Sequence, residues 1–428
     1  MPKETLTVTD NRTGESYEVP INRGAIRASD LVGRYSTAVG PELVIYDPGL
    51  ANTAACASGV TNIHLQQGVL EHRGYRIEDL AEHASFTEVA YLLLHGDLPT
   101  PAQLARWESE IATRKFVHEN VKSFIAGFRY DAAPMGIVAA AVGALGSFYP
   151  DAGDIFGEQA REAQILRLLA KMPTLAAYAY RHGSGRPYVN PSDDLSYTGN
   201  LLSMIFKMSE LRYSVDPEVE RALEVLLIVH ADHEQSAATT AVRAVGSNHS
   251  DPYAAVAAGL YALSGPMRGA ADLQALQMLR TIGSVSAVDA YLETVKTGEG
   301  RLMGFGHPIY RAADPRAQIV RHHLDILSEH APASPLLAVA DALAERTAED
   351  EYFVSRGIHI NAGLYTGLLY QAIGIPDEII GVIFAVARSA GFLAQWLEMV
   401  KDPEQVTLRP RQLYVGPGPR TFTPLSAR

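Results

Sequence analysis

The sequence predicts a mainly α protein with a small β-rich arm at its N-terminus. Three observations lead there. The first ~50 residues alternate apolar and polar positions, as at Leu6 and Val8 and again at Tyr17 and Val19, with turn residues between, which is the pattern of short strands. From Asp47-Pro48-Gly49 onward the apolar pattern turns helical and stays so. Beyond that point alternating runs are too few for an α/β sheet.

The helical part is punctuated in order. Ser85-Phe86-Thr87-Glu88 is a capping box, in which the Ser85 and Glu88 side chains serve each other's backbone N–H groups. The helix it opens runs through Tyr91–Leu94 and stops at Gly96. Thr100-Pro101 reads as an N-cap followed by proline in the first turn. Met135–Tyr149 is a Gly- and Ala-rich helix able to pack closely in a core or across a subunit interface. Pro187–Asp194 is a polar loop. Two helical segments fill Leu195–His233, broken near Tyr213–Pro217. Asp251–Leu263 is another Ala-rich helix, closed by Ser264-Gly265-Pro266. Leu273–Ile282 and Val288–Val295 are short helices, and the tail after Pro410 is irregular. No internal repeat or low-complexity segment is present.

Composition narrows the function classes. The chain has 428 residues, a formal charge of -12 and 47% hydrophobic residues, enough for a large core and more than one domain. An acidic balance does not suit a nucleic-acid surface, which needs clustered Lys and Arg. The single cysteine, Cys56, excludes an internal disulfide framework and any CxxC metal site. The opening MPKETLTVTDNRTGESYEVP is polar, so no cleaved signal is expected and the expected location is cytoplasmic. No membrane association is expected: the apolar runs Met135–Tyr149 and Ile379–Met399 read as too short or too interrupted by charge to span a bilayer.

The chemistry concentrates in Arg301–Arg316, RLMGFGHPIYRAADPR. Two glycines around an aromatic let main-chain groups approach a ligand closely. His307 on that turn can donate a hydrogen bond or move a proton, or it can be a satisfied loop histidine. Arg316 offers a fixed fork of donors suited to a carboxylate. His230 and His233 lie on one helical face; without HExxH or a third ligand, a metal site is not expected. His230 reads as structural and His233 as ligand-facing at the helix end. Arg388 interrupts IIGVIFAVARSAGFLAQW, where a guanidinium is costly unless it meets an anion. That anion is an internal acid or a substrate. Arg316, Arg388 and Arg409 could clamp a dicarboxylate while two histidines polarise a carbonyl.

Several segments together carry a family resemblance: GVLEHRGYRIEDLAEHASFTEVAYLLLHGDLPT, PSDDLSYTGNLLSMIF, LLIVHADHEQSA, RLMGFGHPIYRAADPRA and RPRQLYVG, in this order between about Tyr46 and Phe422. The chain resembles citrate synthase of the bacterial type with an N-terminal β-containing arm. The resemblance implies a two-domain helical fold: an arm at 1–49, a large domain at 50–270 and 389–428, and a small domain at 271–388. It implies an obligate homodimer, in this type often assembled into hexamers. It implies condensation of oxaloacetate with the enol of an acyl-CoA thioester, with coenzyme A as co-substrate and no permanently bound cofactor. By motif, His233 and Arg316 contact the 2-oxo acid, Arg388 binds a carboxylate, and Arg409 reaches the partner subunit's site. His307 polarises the ketone. Met303, Gly304, Phe305 and Gly306 lie against the adenine of CoA, with Arg311 near its phosphates.

Two positions depart from the family pattern. The family's Gly-Pro-x-His-Gly-Gly-Ala-Asn stretch reads Gly265-Pro266-Met267-Arg268-Gly269-Ala270-Ala271-Asp272, placing Arg268 where a histidine bonds the enol. The Asn-x-Asp-Phe-Tyr-Ser-Gly stretch reads Asn361-Ala362-Gly363-Leu364-Tyr365-Thr366-Gly367, placing Gly363 where an aspartate removes the proton. Ser236 and Pro308 are lesser departures. The half of the site for a 2-oxo dicarboxylate, or an analogue with a phosphonate or extra carboxylate met by Arg268, is kept in residue type. The half that makes the nucleophile is not. Asp272, His359 or water could substitute for the base, and nothing in the sequence places them. Three readings stay open: an enzyme with altered nucleophile activation, a non-catalytic paralogue that binds dicarboxylate or CoA, and a citrate synthase with a rescued mechanism. A malonyl-type donor, whose decarboxylation makes the carbanion, is one form of the first.

Overall fold

The computed structural model describes residues 4–12, 14–32, 44–265, 271–307, 309–329 and 334–428. These are mainly helical, with two small antiparallel sheets. The chain divides into two compact units, Met1–Ala57 with Leu408–Arg428, and Ser58–Thr407.

The first unit holds the expected arm. Strands β1 (Thr5–Asp10) and β2 (Glu15–Pro20) pair antiparallel, Thr5 opposite Pro20 and Asp10 opposite Glu15. The Asp10 carboxylate takes the Arg12 guanidinium at 2.8 Å and steadies the turn between them. A short helix α1 (Ala28–Val32) follows. The Asp47-Pro48-Gly49 switch forms a tight turn whose Asp47 carboxylate accepts from Asn52 N–H at 2.8 Å. The C-terminal stretch is irregular, as its Gly-Pro pattern predicts, and it carries Arg409.

The second unit opens on a sheet that the helical reading of this region did not anticipate, β3 (Thr61–His64), β4 (Val69–His72) and β5 (Tyr75–Arg76), in that order. Helices follow. α2 (Ile77–His83) leads to α3 (Phe86–His95), which has the capping box of Ser85 and Glu88 and ends at Gly96 with φ 95°. α4 (Pro101–Ala112) has a second box, Thr100 with Gln103. α5 (Glu119–Ala126) and α6 (Pro134–Leu145) precede the long α7 (Glu158–Gly183), which contains Pro173. Next come α8 (Tyr197–Phe206) and α9 (Pro217–His230), capped by Ser196 and Asp216. Ser236 caps α10 (Ala237–Gly246), accepting from Thr239 N–H at 3.1 Å, and Asp251 caps α11 (Pro252–Leu263). The remaining helices are α12 (Ala271–Ile282), α13 (Val288–Lys296), α14 (Pro315–Ser328), α15 (Pro335–Glu349), α16 (Glu351–Val354), α17 (Gly363–Ile373) and α18 (Ile380–Lys401).

The core gathers around α18, which packs on α3, α7, α9, α10 and α11. Phe392 and Trp396 are fully buried along it. Contrary to expectation, Asp377–Lys401 is long and apolar enough to cross a membrane by length and composition. Most of it is buried inside the protein, so a core helix accounts for that composition.

Candidate active site

Two segments remote in sequence build the site's frame. Residues 303–307 turn sharply, with Gly304 at φ 81° and Gly306 at φ 68°. The turn is fastened to the chain before α17. Phe305 bridges Ile360, Gly306 N–H donates to the His359 carbonyl at 2.7 Å, and Asn361 N–H donates to the Gly304 carbonyl at 2.9 Å. The Asn361 side chain gives its amide N–H to the Gly306 carbonyl at 2.7 Å and accepts from Gly363 N–H at 2.9 Å. A Cβ on Gly304 would sit 2.8 Å from the Leu364 backbone nitrogen, so glycine alone lets the turn lie against the start of α17.

Asp314 is a second fastener. Its carboxylate caps α14 by accepting from Arg316 N–H at 3.0 Å, and it also accepts from Ala362 N–H at 3.3 Å. One buried side chain thereby ties the starts of α14 and α17 together.

His307 is brought beside His233. Their ring centres lie 5.2 Å apart, and Tyr310 lies 4.8 Å from His307. Nδ1 of His307 accepts from the backbone N–H groups of Ile309 at 3.1 Å and Tyr310 at 3.4 Å. A neutral ring that accepts at Nδ1 carries its proton on Nε2, so His307 offers an Nε2–H donor. His233 Nε2 shares a hydrogen bond with the Tyr310 hydroxyl at 3.1 Å. Burial holds His233 well below the usual histidine range, and the charge of Arg316, the neighbouring His307 and Arg388 push the same way. His72 on β4 is pushed down to about 3, first by burial and then by Arg388 and Arg316. Both rings are uncharged at neutral pH.

The arginines differ from one another. Arg388, 4% exposed in the middle of α18, donates from Nε to the His230 carbonyl at 2.7 Å and packs over the Phe384 ring. Among the described residues its terminal nitrogens form no hydrogen bond and no ion pair. Burial pushes its pKa down to about 10, and buried Asp232 offsets this in part. Arg316 already forks an internal acid, Nε and Nη2 meeting the Asp314 carboxylate at 2.9 and 2.7 Å. Burial works against its charge, and Asp314 outweighs burial. Both guanidinium groups act on His230, His233 and Asp272, so they share one neighbourhood. Arg409 belongs to the other unit. Met303 N–H points to the Met278 sulfur at 3.3 Å, and Arg311 N–H donates to the Leu65 carbonyl at 2.8 Å with its side chain exposed. Arg268 and Pro308 lie outside the described residues. Among the described residues no three His, Cys, Asp or Glu side chains gather as metal ligands would.

Gly363 is the first residue of α17. A Cβ built on it would lie 3.2 Å from Asp272 Oδ1, 3.1 Å from Asn361 Oδ1 and 4.0 Å from the Gly304 Cα. Asp272, in the first turn of α12, is half-buried. Burial raises its carboxyl to about 6, against the opposing pull of Arg316 and Arg388. α12 comes this close because Gly367 on α17 has no side chain: a Cβ there would meet the Asp272 carbonyl oxygen at 2.8 Å.

Comparison with known proteins fits this frame. The family model "Citrate synthase, C-terminal domain" matches residues 49–411. The chain belongs to the citrate synthase family. It is 45% identical to the peroxisomal citrate synthase of Dictyostelium discoideum, across all of this chain and 88% of that protein. It is 40% identical to the glyoxysomal citrate synthase of Cucurbita maxima, across all of this chain and 84% of that protein. Among solved structures, citrate synthase from Pyrobaculum aerophilum superposes with a TM-score of 0.83 at 33% identity, over 89% of this chain and 94% of that one. Citrate synthase from the thermophilic archaeon Thermoplasma acidophilum, solved as a ternary complex with carboxymethyl coenzyme A and oxaloacetate, gives 0.82 at 29% identity over 89% and 98%. The cytoplasmic location expected from the polar N-terminus does not stand, since these citrate synthases of Dictyostelium and Cucurbita are named for peroxisomes and glyoxysomes.

Four residues of the site escaped the sequence reading: Tyr310, His72, Asn361 and the fastening role of Asp314. Only Tyr310 left a signal, an aromatic three residues past His307. The others act through contacts with chain 11 to 55 residues away.

Proposed function

We propose that this chain is a citrate-synthase-type enzyme that joins an acyl-CoA-derived carbon nucleophile to oxaloacetate or a closely related 2-oxo dicarboxylate or phosphonate, with altered activation of the nucleophile. The observation that carries it is Arg388. A charged guanidinium buried with no carboxylate in ion-pair contact among the described residues, and with Asp232 acting only at longer range, is expensive unless a ligand supplies the anion. Beside it stand His233, held uncharged by burial, and His307. In this reading a substrate carboxylate meets Arg388 and the open side of Arg316, and Arg409 serves a second carboxylate in the partner subunit of a homodimer. Ketone oxygen meets His307 Nε2–H, and His233 holds the acid from its other side. Donors fixed in a buried site favour charge that develops on that oxygen. The turn Met303–Gly306 with Arg311 receives coenzyme A as a co-substrate, and a small domain at 271–388 closes on a large one at 50–270 and 389–428.

Activation is altered because the family's aspartate position is Gly363 and its histidine position is Arg268. Loss of a general base costs about 10²–10⁴ in rate unless something replaces it. The test is thiol release from a panel of CoA thioesters in the presence of oxaloacetate, with products weighed by mass spectrometry. Thiol release that needs both substrates, with a condensed product whose mass is that of oxaloacetate plus the free acid of the acyl group (less carbon dioxide for a decarboxylating donor), is expected. No turnover with any donor, while calorimetry shows oxaloacetate bound, would instead mark a non-catalytic binding protein.

A further inference from the structure

We infer that Asp272 is the general base of this site: the carboxylate that removes an α-proton from the acyl-CoA donor is delivered from the start of α12, across the gap that Gly363 leaves open on α17. The inference rests on the condensing function proposed above and says how its nucleophile arises.

The geometry is specific. Any side chain at Gly363 would begin 3.2 Å from Asp272 Oδ1. A carboxylate mounted at residue 363 and the carboxylate of Asp272 would therefore reach into the same volume, where two like charges would repel one another. The chain has glycine at 363 and an acid at 272, where the family pattern has an acid and an amide. The two departures are the two ends of one transfer: the charge has moved from one helix start to the neighbouring one. That volume borders the 303–307 turn, with the Gly304 Cα 4.0 Å from the same point, and the turn ends at the ketone-polarising His307.

The surroundings suit a base. The charged and titratable groups that act on Asp272 are Asp314 and Arg316 at the start of α14, Arg388 on α18 and Tyr370 on α17. Arg316 and Arg388 keep the carboxylate ionised at neutral pH against the cost of burial, and burial keeps it basic enough to take a proton, at about 6. A carboxyl so placed is near the best compromise between being deprotonated and being able to accept. Asn361, the other oxygen-bearing neighbour, is committed to Gly306 and to Gly363, which leaves Asp272 as the group that can act.

The step balances without a further reactant. The Asp272 carboxylate takes one proton from the α-carbon of the thioester. The C–H electron pair becomes the enolate double bond, and the carbonyl pair moves to oxygen. The enolate carbon attacks the ketone carbon of the 2-oxo acid, the thioester carbonyl re-forms, and the new alkoxide takes a proton at His307 Nε2, which the proton held by Asp272 replaces through solvent. Water then cleaves the C–S bond and releases the thiol. The donor class follows: a CoA thioester with an unactivated α-C–H, such as acetyl-CoA, and not one that must lose carbon dioxide to form its carbanion.

The experiment compares wild type, Asp272→Asn and the double variant Asp272→Asn with Gly363→Asp, using acetyl-CoA or malonyl-CoA with oxaloacetate. With acetyl-CoA, Asp272→Asn should lose about 10²–10⁴ in kcat, with oxaloacetate affinity by calorimetry unchanged. The double variant, with its acid back on α17, should recover at least tenfold of that loss. The acid limb of the wild-type pH profile, set by a group near 6, should vanish in the single variant. Wild type that turns over acetyl-CoA while Asp272→Asn keeps its rate and its pH limb would overturn the assignment and leave the condensing function standing. Wild type that turns over malonyl-CoA alone would also overturn it. Wild type inactive with every thioester of the panel would overturn both.

Discussion

Single residues set the electrostatics here, and their titration is measurable. His72 stays neutral in the folded protein down to about 3, whereas the unfolded chain binds that proton below about 6.5. Its contribution to stability is thus present above pH 6.5 and lost as pH falls through the window toward 3. His72→Asn removes that share. Its melting temperature should fall less between pH 7 and pH 5 than that of wild type, by differential scanning calorimetry. Asp272 has the opposite sign. Its folded-state pKa is raised to about 6, so its share of stability is present below about 3.9 and is lost as pH rises through 6. Asp272→Asn should gain melting temperature relative to wild type at pH 7.5 compared with pH 4. Arg388 was legible in the sequence because a guanidinium inside an apolar run is conspicuous against its neighbours. Asp272 was one name among three, because a distance between two helix starts cannot be read along a chain. Its closeness to Gly363 is created by the absence of side chains at 363 and 367, which sequence shows only as two glycines.

Elements were legible where their ends are marked by chemistry. Ser85 with Glu88, Thr100 with Pro101 and the stop at Gly96 are local signals, satisfied by bonds within four residues, and the helices begin and end there. Ser85→Ala should cost about 1 kcal/mol in chemical denaturation. α7 was not legible: Pro173 breaks the apparent pattern, yet the helix continues because it is buried on nearly all sides and packs against α6, α8 and α18. β3–β5 escaped because their strands are two to four residues long, so they depend on pairing and not on periodicity. The contact of α12 with α17 carries the site's geometry. Gly367→Ala would force a methyl against the Asp272 carbonyl oxygen and Leu276, and backbone cannot yield cheaply. It should destabilise the protein by about 1–3 kcal/mol. It should also lower kcat for acetyl-CoA more than it raises KM for oxaloacetate, because α12 carries Asp272.

At the scale of the whole molecule, the mainly helical fold with a β-containing arm was legible from periodicity, and kinship from ordered motifs spread over most of the chain. Location was not: a polar N-terminus says nothing about receptor-read addresses, and the relatives named for peroxisomes and glyoxysomes overrule it. Composition also misled at α18, where charge within an apolar helix suggested a broken run although the helix is continuous and buried. That charge is the point on which the two halves of the chemistry meet, since Arg388 acts on His233 and on Asp272 alike. Whether it waits for a substrate carboxylate is decided by titrating oxaloacetate into wild type and Arg388→Met by isothermal calorimetry. Wild type should bind, and Arg388→Met should bind at least about 30-fold more weakly, the loss of a charge-assisted bond worth about 2–3 kcal/mol. Equal binding by the two proteins, or none by wild type, would contradict it.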